Sequence, residues 1–169
     1  MSLLTIVKYG DPVLRKKTEL VPQLDEKLRQ TLEDMFRTMY VAPGIGLAAN
    51  QVGISRCFAV IDLHADGTHR PLVIINPVIE ERSGTLCEEE GCLSVPGFSA
   101  RVKRAAKVRV RALNEHGLPV VIEGEGLLAR CLQHEIDHLH GKLYIDHLPL
   151  VSRLRLKHAI QKRSKQGLF

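Results

Sequence analysis

The run His134-Glu135-Ile136-Asp137-His138 constrains this chain more than any other feature. From Glu125 to about Leu139 apolar residues recur at helical spacing, and Gly141 supplies a C-terminal stop, so the run is read on a helix. Residues four apart share a helix face, so both imidazoles can point at a single metal ion. Glu135 lies between them in sequence. A carboxylate held close to a metal without ligating it is placed to act as general base on an activated water. The plainer alternative is a surface helix that happens to carry these residues in a chain with eight His.

The remaining elements follow from periodicity. Leu24, Leu28, Leu32, Met35, Phe36 and Met39 recur at helical spacing and Pro43-Gly44 ends them, which predicts a first helix near 25–42. Cys57–Leu63 and Leu72–Ile79 are short, apolar and rich in β-branched residues, and read as strands. Val102, Val108, Val110 and Leu113 alternate in part with Lys and Arg, as in a half-exposed strand or hairpin; Asn114–Gly117 gives a turn and Leu118–Ile122 a return strand. A last amphipathic helix is expected over 150–164. Strands in the middle and helices at both ends predict an α+β fold, one domain over residues 1–169, with a mixed or antiparallel sheet packed around the central HExxH helix. No repeat, linker or low-complexity stretch interrupts it.

Composition narrows the class. No apolar run approaches the roughly 18 residues of a membrane span, and the N-terminus lacks a basic segment followed by an apolar one, so a cytoplasmic protein without membrane contact is expected. Cys57, Cys87, Cys92 and Cys131 show no C-x-x-C spacing and are read as thiols or ligands, not disulfides. Six of the 24 Lys and Arg fall in residues 150–169, where there is no acid; the rest of the chain holds 18 basic against 19 acidic residues. The net charge of +5 is therefore a property of the tail. Such a tail suits an anionic partner, nucleic acid above all, or a solvated helix face kept cationic for solubility.

A catalytic metal usually has three protein ligands. No Glu follows Glu135, which excludes a downstream Glu ligand, and Tyr144 stands where an extended H-E-x-x-H-x-x-G-x-x-H motif needs its last His. On the same helix, the Cα of Cys131 lies ~10 Å along the axis from that of His138, which favours packing or pocket lining for its short thiol. Asp146, His147 and His158 are not excluded by spacing. Cys92 is the stronger candidate: Gly91, Pro96 and Gly97 surround it with turn-forming residues, and Gly91 lets the backbone approach an ion closely.

Three segments in order carry a resemblance. Gly44-Ile45-Gly46-Leu47-Ala48-Ala49-Asn50-Gln51, Glu90-Gly91-Cys92-Leu93-Ser94 and Gln133-His134-Glu135-Ile136-Asp137-His138 resemble the three signature motifs of the peptide deformylases, and the likeness spans nearly the whole chain from Gly10-Asp11-Pro12 onward. The resemblance implies removal of the formyl group from the N-terminal formyl-methionine of new polypeptides, yielding formate and a free amine. It implies Cys92, His134 and His138 as metal ligands and Glu135 as the residue that takes a proton from water and passes it to the leaving amine. The amide of Gln51 and the backbone N–H of Leu93 would donate to the developing oxyanion, an effect of ~3–4 kcal/mol per donor. Gly44, Ile45 and Gly46 would form a peptide-binding edge, with Glu90 on the substrate side and Leu127, Arg130 and Cys131 around the methionine. Without the family, Gln51 reads as a cap or turn residue, and Gly44–Gly46 lacks the Lys-Ser/Thr ending of a P-loop.

Arg130 is bulkier and more polar than the aliphatic residue often found at that position, and Gly97-Phe98-Ser99-Ala100 lies in a region of family variation. A thiolate with two imidazoles suits Fe²⁺, Zn²⁺, Co²⁺ or Ni²⁺; the resemblance implies Fe²⁺ as the physiological ion. A monomer is the default. For the tail, the resemblance suggests docking on the ribosome, with Val151, Leu154 and Leu156 packed on the domain and Arg153, Arg155, Lys157, Lys162 and Arg163 facing outward. Two other readings remain at this point: a general metallopeptidase with a different third ligand, and a basic RNA- or ribosome-binding module with no use for the Glu135 carboxylate.

Overall fold

The computed structural model describes residues 2–64 and 67–167. In chain order the elements are α1 (Glu26–Val41), β1 (Gly46–Ala48), β2 (Phe58–Ile61), β3 (Leu72–Ser83), β4 (Leu86–Gly91), β5 (Ser99–Arg104), β6 (Lys107–Leu113), β7 (Pro119–Glu125), α2 (Leu127–Leu139) and α3 (Leu150–Lys165), with short 3-10 turns between them.

Five strands form one sheet in the order β1-β2-β3-β6-β7, and every neighbouring pair is antiparallel, which decides between the mixed and antiparallel expectations. Side chains alternate across a strand, and here the alternation sorts them between two helices. Phe58 and Val60 of β2 join Leu47, Val73 and Ile75 against Leu28, Leu32, Met35 and Met39 of α1. Ala59 and Ile61 point the other way and join Ile74, Val108 and Val110 against Ala129, Leu132, Ile136 and Leu139 of α2. The short β1 and β2 are buried along their whole length because both faces are covered. Asp25 starts α1 by accepting from the Leu28 N–H at 2.7 Å.

Three expectations change. β3 runs on through the polar residues Glu80–Ser83, because β6 continues to pair with it. Leu86–Gly91, for which no strand was expected, forms β4 and pairs with β5 in a separate two-stranded sheet, so Val102 and Val108 lie in different sheets and not in one strand or hairpin. The last helix has the expected span, yet Val151 and Leu154 are 60% and 57% exposed. Of the three residues expected to pack on the domain only Leu156 does so, beside the fully buried Ile160, in a third cluster with Val95, Val102, Leu143 and Tyr144. Arg163 continues that face and is half-buried, as are Arg153 and Lys157, so of the five basic residues expected to face outward only Arg155 and Lys162 are exposed. The reason is register: Ile160, not Leu154, meets the apolar floor, and side chains three and four residues from it follow it inward.

Candidate metal centre and substrate cleft

Three elements bring the site together. The face of α2 presents His134 and His138, with their Nε2 atoms 3.2 Å apart. A turn after β4, closed by Val95 N–H donating to Cys92 O at 2.9 Å, brings Cys92 Sγ to 3.2 Å from His138 Nε2. A 3-10 turn, Ala49–Val52, follows β1 and carries Gln51. Its Oε1 accepts from the Ala48 N–H at 2.9 Å, which turns Nε2 toward Ser94 Oγ (3.2 Å) and Cys92 Sγ (3.4 Å).

Cys92, His134 and His138 form the one group of at least three metal-ligating side chains found among the described residues, with their ligand atoms all within 4.8 Å of one another. His134 Nδ1 lies 3.1 Å from Glu90 Oε2. A carboxylate only accepts, so the Nδ1 proton is fixed there and the Nε2 lone pair is turned into the cluster. Burial disfavours a charged Cys92, but the His138 and His134 imidazoles win and hold the thiol well below its ordinary value. Burial likewise opposes a charged His134, and the hydrogen bonds its ring donates to Cys92 and Glu90 push it well above the usual imidazole range. A thiolate and ring nitrogens converging at contact distance need positive charge between them, which a divalent cation supplies; the donor set therefore fits a metal. Cys131 is not in the group. Its thiol is raised by burial, then by Glu135, and faces Ile45 O at 3.7 Å.

Glu135 is 3% exposed, and its Oε2 has no hydrogen-bond partner. Burial raises its pKa, with His134 and His138 opposing. A Cβ on Gly46 would lie 2.3 Å from Glu135 Oε1 and 2.9 Å from Cys131 Sγ, so only glycine lets β1 pass this close to the carboxylate.

These groups open on a cleft of about 740 Å³, lined by Gly44, Ile45, Gly46 and Gln51 on one side and by Leu93 and Pro96–Phe98 on the other. Leu127, Arg130, Cys131, His134 and Glu135 complete it along α2. Glu90 also borders the cleft, but both its oxygens are engaged inward, one on Arg104 and the other on Arg104 and His134. Arg130 turns its guanidinium onto Glu89 O. The remaining ligand candidates lie elsewhere: Asp146 pairs with Arg15, His147 with Asp137, and His158 is exposed on α3.

Arg104 was not anticipated. Its side chain is 3% exposed; it grips Glu90 with two nitrogens at 2.9 and 3.0 Å and reaches Asp137 at 2.5 Å. Burial would raise the two carboxylates. Hydrogen bonds from His134 and Arg104 nevertheless hold Glu90 at about 2, and His147 with Arg104 holds Asp137 at about 2. The only signal for Arg104 in the sequence is an acidic β4 facing a basic β5, legible once both strands are known.

What such an arrangement can do is cleave a bond that water alone attacks slowly: a cation site for polarisation, an unpartnered buried carboxylate beside it, and an amide donor aimed at the same point. That defines a metal-dependent hydrolase. The sequence profile of the polypeptide deformylase family matches residues 3–154. The curated peptide deformylase of Alkalilimnicola ehrlichii is 48% identical over 167 residues, covering 99% of this chain and 94% of that relative. The crystal structure of a Legionella pneumophila peptide deformylase superposes with a TM-score of 0.91 at 45% identity, covering 98% of each chain. That of a Synechococcus elongatus peptide deformylase, solved in complex with actinonin, gives 0.88 at 46% identity, covering 95% of this chain and 88% of that one. The chain belongs to the polypeptide deformylase family. Enzymes of this family are metal-dependent hydrolases that remove the formyl group from N-terminal formyl-methionine, and the chain is an enzyme of this type.

Proposed function

We propose that Cys92, His134 and His138 hold one divalent ion, Fe²⁺ in the cell with Zn²⁺, Ni²⁺ or Co²⁺ as substitutes, and that Glu135 carries the proton traffic of deformylation. The ion, when bound, supplies Lewis acidity, polarising the formyl carbonyl and lowering the pKa of water. Glu135 takes the proton from the attacking water as its oxygen bonds to the formyl carbon. The carboxyl group then passes that proton to the methionine nitrogen as the C–N bond breaks, leaving formate and a free amine. Its buried, unpartnered Oε2 and raised pKa support this role, because a base tuned upward can also act as acid. This carboxylate beside the ligand cluster is the observation that carries the reading.

Gln51 Nε2 and the Leu93 N–H are assigned to the developing oxyanion. The Gln51 contact to Cys92 at 3.4 Å is the longer of its two and the one an oxyanion would replace. The backbone of Gly44, Ile45 and Gly46 lies along the cleft and suits pairing with an extended peptide. Leu127, Arg130 and Cys131 are assigned to the methionine side chain, and Glu90 to orienting His134 from the cleft border. Residues 1–169 act as one catalytic domain, a cytoplasmic monomer; among the described residues no helix is long and apolar enough to cross a membrane. The outward-facing basic residues of α3, Arg155 and Lys162 among them, suit a ribosomal RNA surface, and binding there should weaken steeply with salt.

Anaerobic purification, metal analysis and a formate-release assay on formyl-Met peptides test the whole reading. One equivalent of metal and formate release are expected. A metal-loaded protein that released no formate, or that cut internal peptide bonds, would overturn it.

A further inference from the structure

The C-terminal helix reaches the wall of the substrate cleft. The loop from Cys92 to Phe98 carries the candidate thiolate ligand at one end and lines the cleft with Pro96, Gly97 and Phe98 at the other. Its internal bonds are few: Val95 N–H to Cys92 O at 2.9 Å, and Phe98 N–H to Val95 O at 3.4 Å. Its far end is held from behind. Tyr144 Oη donates to Phe98 O at 3.1 Å, and the Arg163 guanidinium carbon lies 5.5 Å from the centre of the Phe98 ring. The same guanidinium lies against Gly97, at φ +77°, where a Cβ would meet Arg163 Nη1 at 2.3 Å. Ile160, one turn earlier on α3, is buried in the cluster that Phe98 packs against. Arg163 is half-buried and makes no ion pair among the described residues, so the ring and the glycine are the contacts that draw a charged side chain away from water.

We propose that Arg163 is a positioning residue for substrate, fixing the Gly97–Phe98 wall so that the peptide residues following formyl-methionine are bound. The argument rests on the cleft being the peptide groove. A planar guanidinium over an aromatic face is attracted by the ring quadrupole, and lysine reproduces the charge but not the planar stacking. Because the contact lies at the loop end remote from Cys92, its loss removes binding shared by ground and transition states. That raises KM and leaves kcat unchanged.

The test uses the full metal-loaded chain, formate release, and two substrates: a formyl-Met dipeptide and a formyl-Met pentapeptide. Arg163→Ala should raise KM for the pentapeptide by ~2–5-fold at constant kcat, the range a partly exposed cation–aromatic contact supports. The dipeptide should respond little, and Arg163→Lys should recover part of the loss. Phe98→Ala should raise pentapeptide KM similarly, and adding Arg163→Ala to it should do no more, because the two side chains act as a pair. An unchanged pentapeptide KM, an equal rise for both substrates, or independent addition of the two variants would overturn the proposal. Should Arg163→Ala not fold, Arg163→Lys and Phe98→Ala carry the same comparison. Absence of formate release from the parent chain would contradict the reading of the cleft instead.

Discussion

The helices α2 and α3 are similar in length, 13 and 16 residues, and are built on different principles. Eight residues of α2 are buried, including Gln133, Glu135 and His138, and most of its polar groups are tied into neighbouring strands and turns. Gln133 bonds the backbone of Ala105 in both directions, at 3.1 and 3.0 Å, and Asn50 donates to His138 O at 2.6 Å. In α3 only Ile160 is fully buried, and most of its charges meet solvent. Polar groups can be kept in a core when each has a partner, and one left without a partner is costly unless it has work to do. The free oxygen of Glu135 in α2 is such a group; the free charges of α3, bathed in water, carry no comparable information.

The largest effect should follow from touching that oxygen. Glu135→Ala is expected to retain metal and lower deformylation by ~10²–10⁴-fold, the usual contribution of a positioned general base. Near-normal turnover at full metal occupancy would remove the contrast, because the unpartnered oxygen would then have no function.

Next comes the support behind α2. Arg104→Leu leaves Glu90 and Asp137 as buried carboxylates short of a cation, and should destabilise the fold by ~3–5 kcal/mol, read by denaturant unfolding. The pH dependence has a definite sign. Both carboxylates are held at about 2 in the folded chain, below the ~3.9 and ~4.3 of unfolded Asp and Glu. The unfolded state therefore binds more protons over this interval. The stabilisation is full above pH ~4–5 and is lost as pH falls toward 2. With Arg104 replaced, both folded pKa values rise toward the unfolded ones, so this acid-dependent loss should shrink; an unchanged acid limb would show the network to be incidental.

The first helix, the apolar strands and the face of α2 were legible because each rests on spacing: Leu28, Leu32, Met35 and Met39 mark one stripe, His134 and His138 another. β4 was not, because Cys87, Glu88 and Glu89 are exposed and only Glu90 turns inward, so no alternation of apolar residues announces a strand. Its partner supplies the pattern: Glu89 lies opposite Arg101, within a basic β5. Arg104 was hidden for the same reason, since a buried arginine is written like a surface one. The inner face of α3 was misassigned because its apolar residues do not form a single stripe; Leu150, Val151 and Leu154 are exposed while Ile160 is buried.

That misassignment gives the two smaller predictions. Ile160→Ala should cost ~2–3 kcal/mol, the low part of the core range because the cluster lies at the edge of the fold. Leu154→Ala should stay within ~0.5 kcal/mol. Equal losses on thermal or denaturant unfolding would mean that α3 packs through the face expected from sequence.

The central claim is that Cys92, and not the nearby Cys131, completes the metal centre with His134 and His138. X-ray absorption at the metal edge of the anaerobically prepared protein measures this directly. One sulfur at ~2.3 Å with two imidazole nitrogens is expected, given a zinc-like ion. The sulfur should be lost in Cys92→Ser and kept in Cys131→Ser. A sulfur signal that survives in Cys92→Ser and disappears in Cys131→Ser would contradict the assignment.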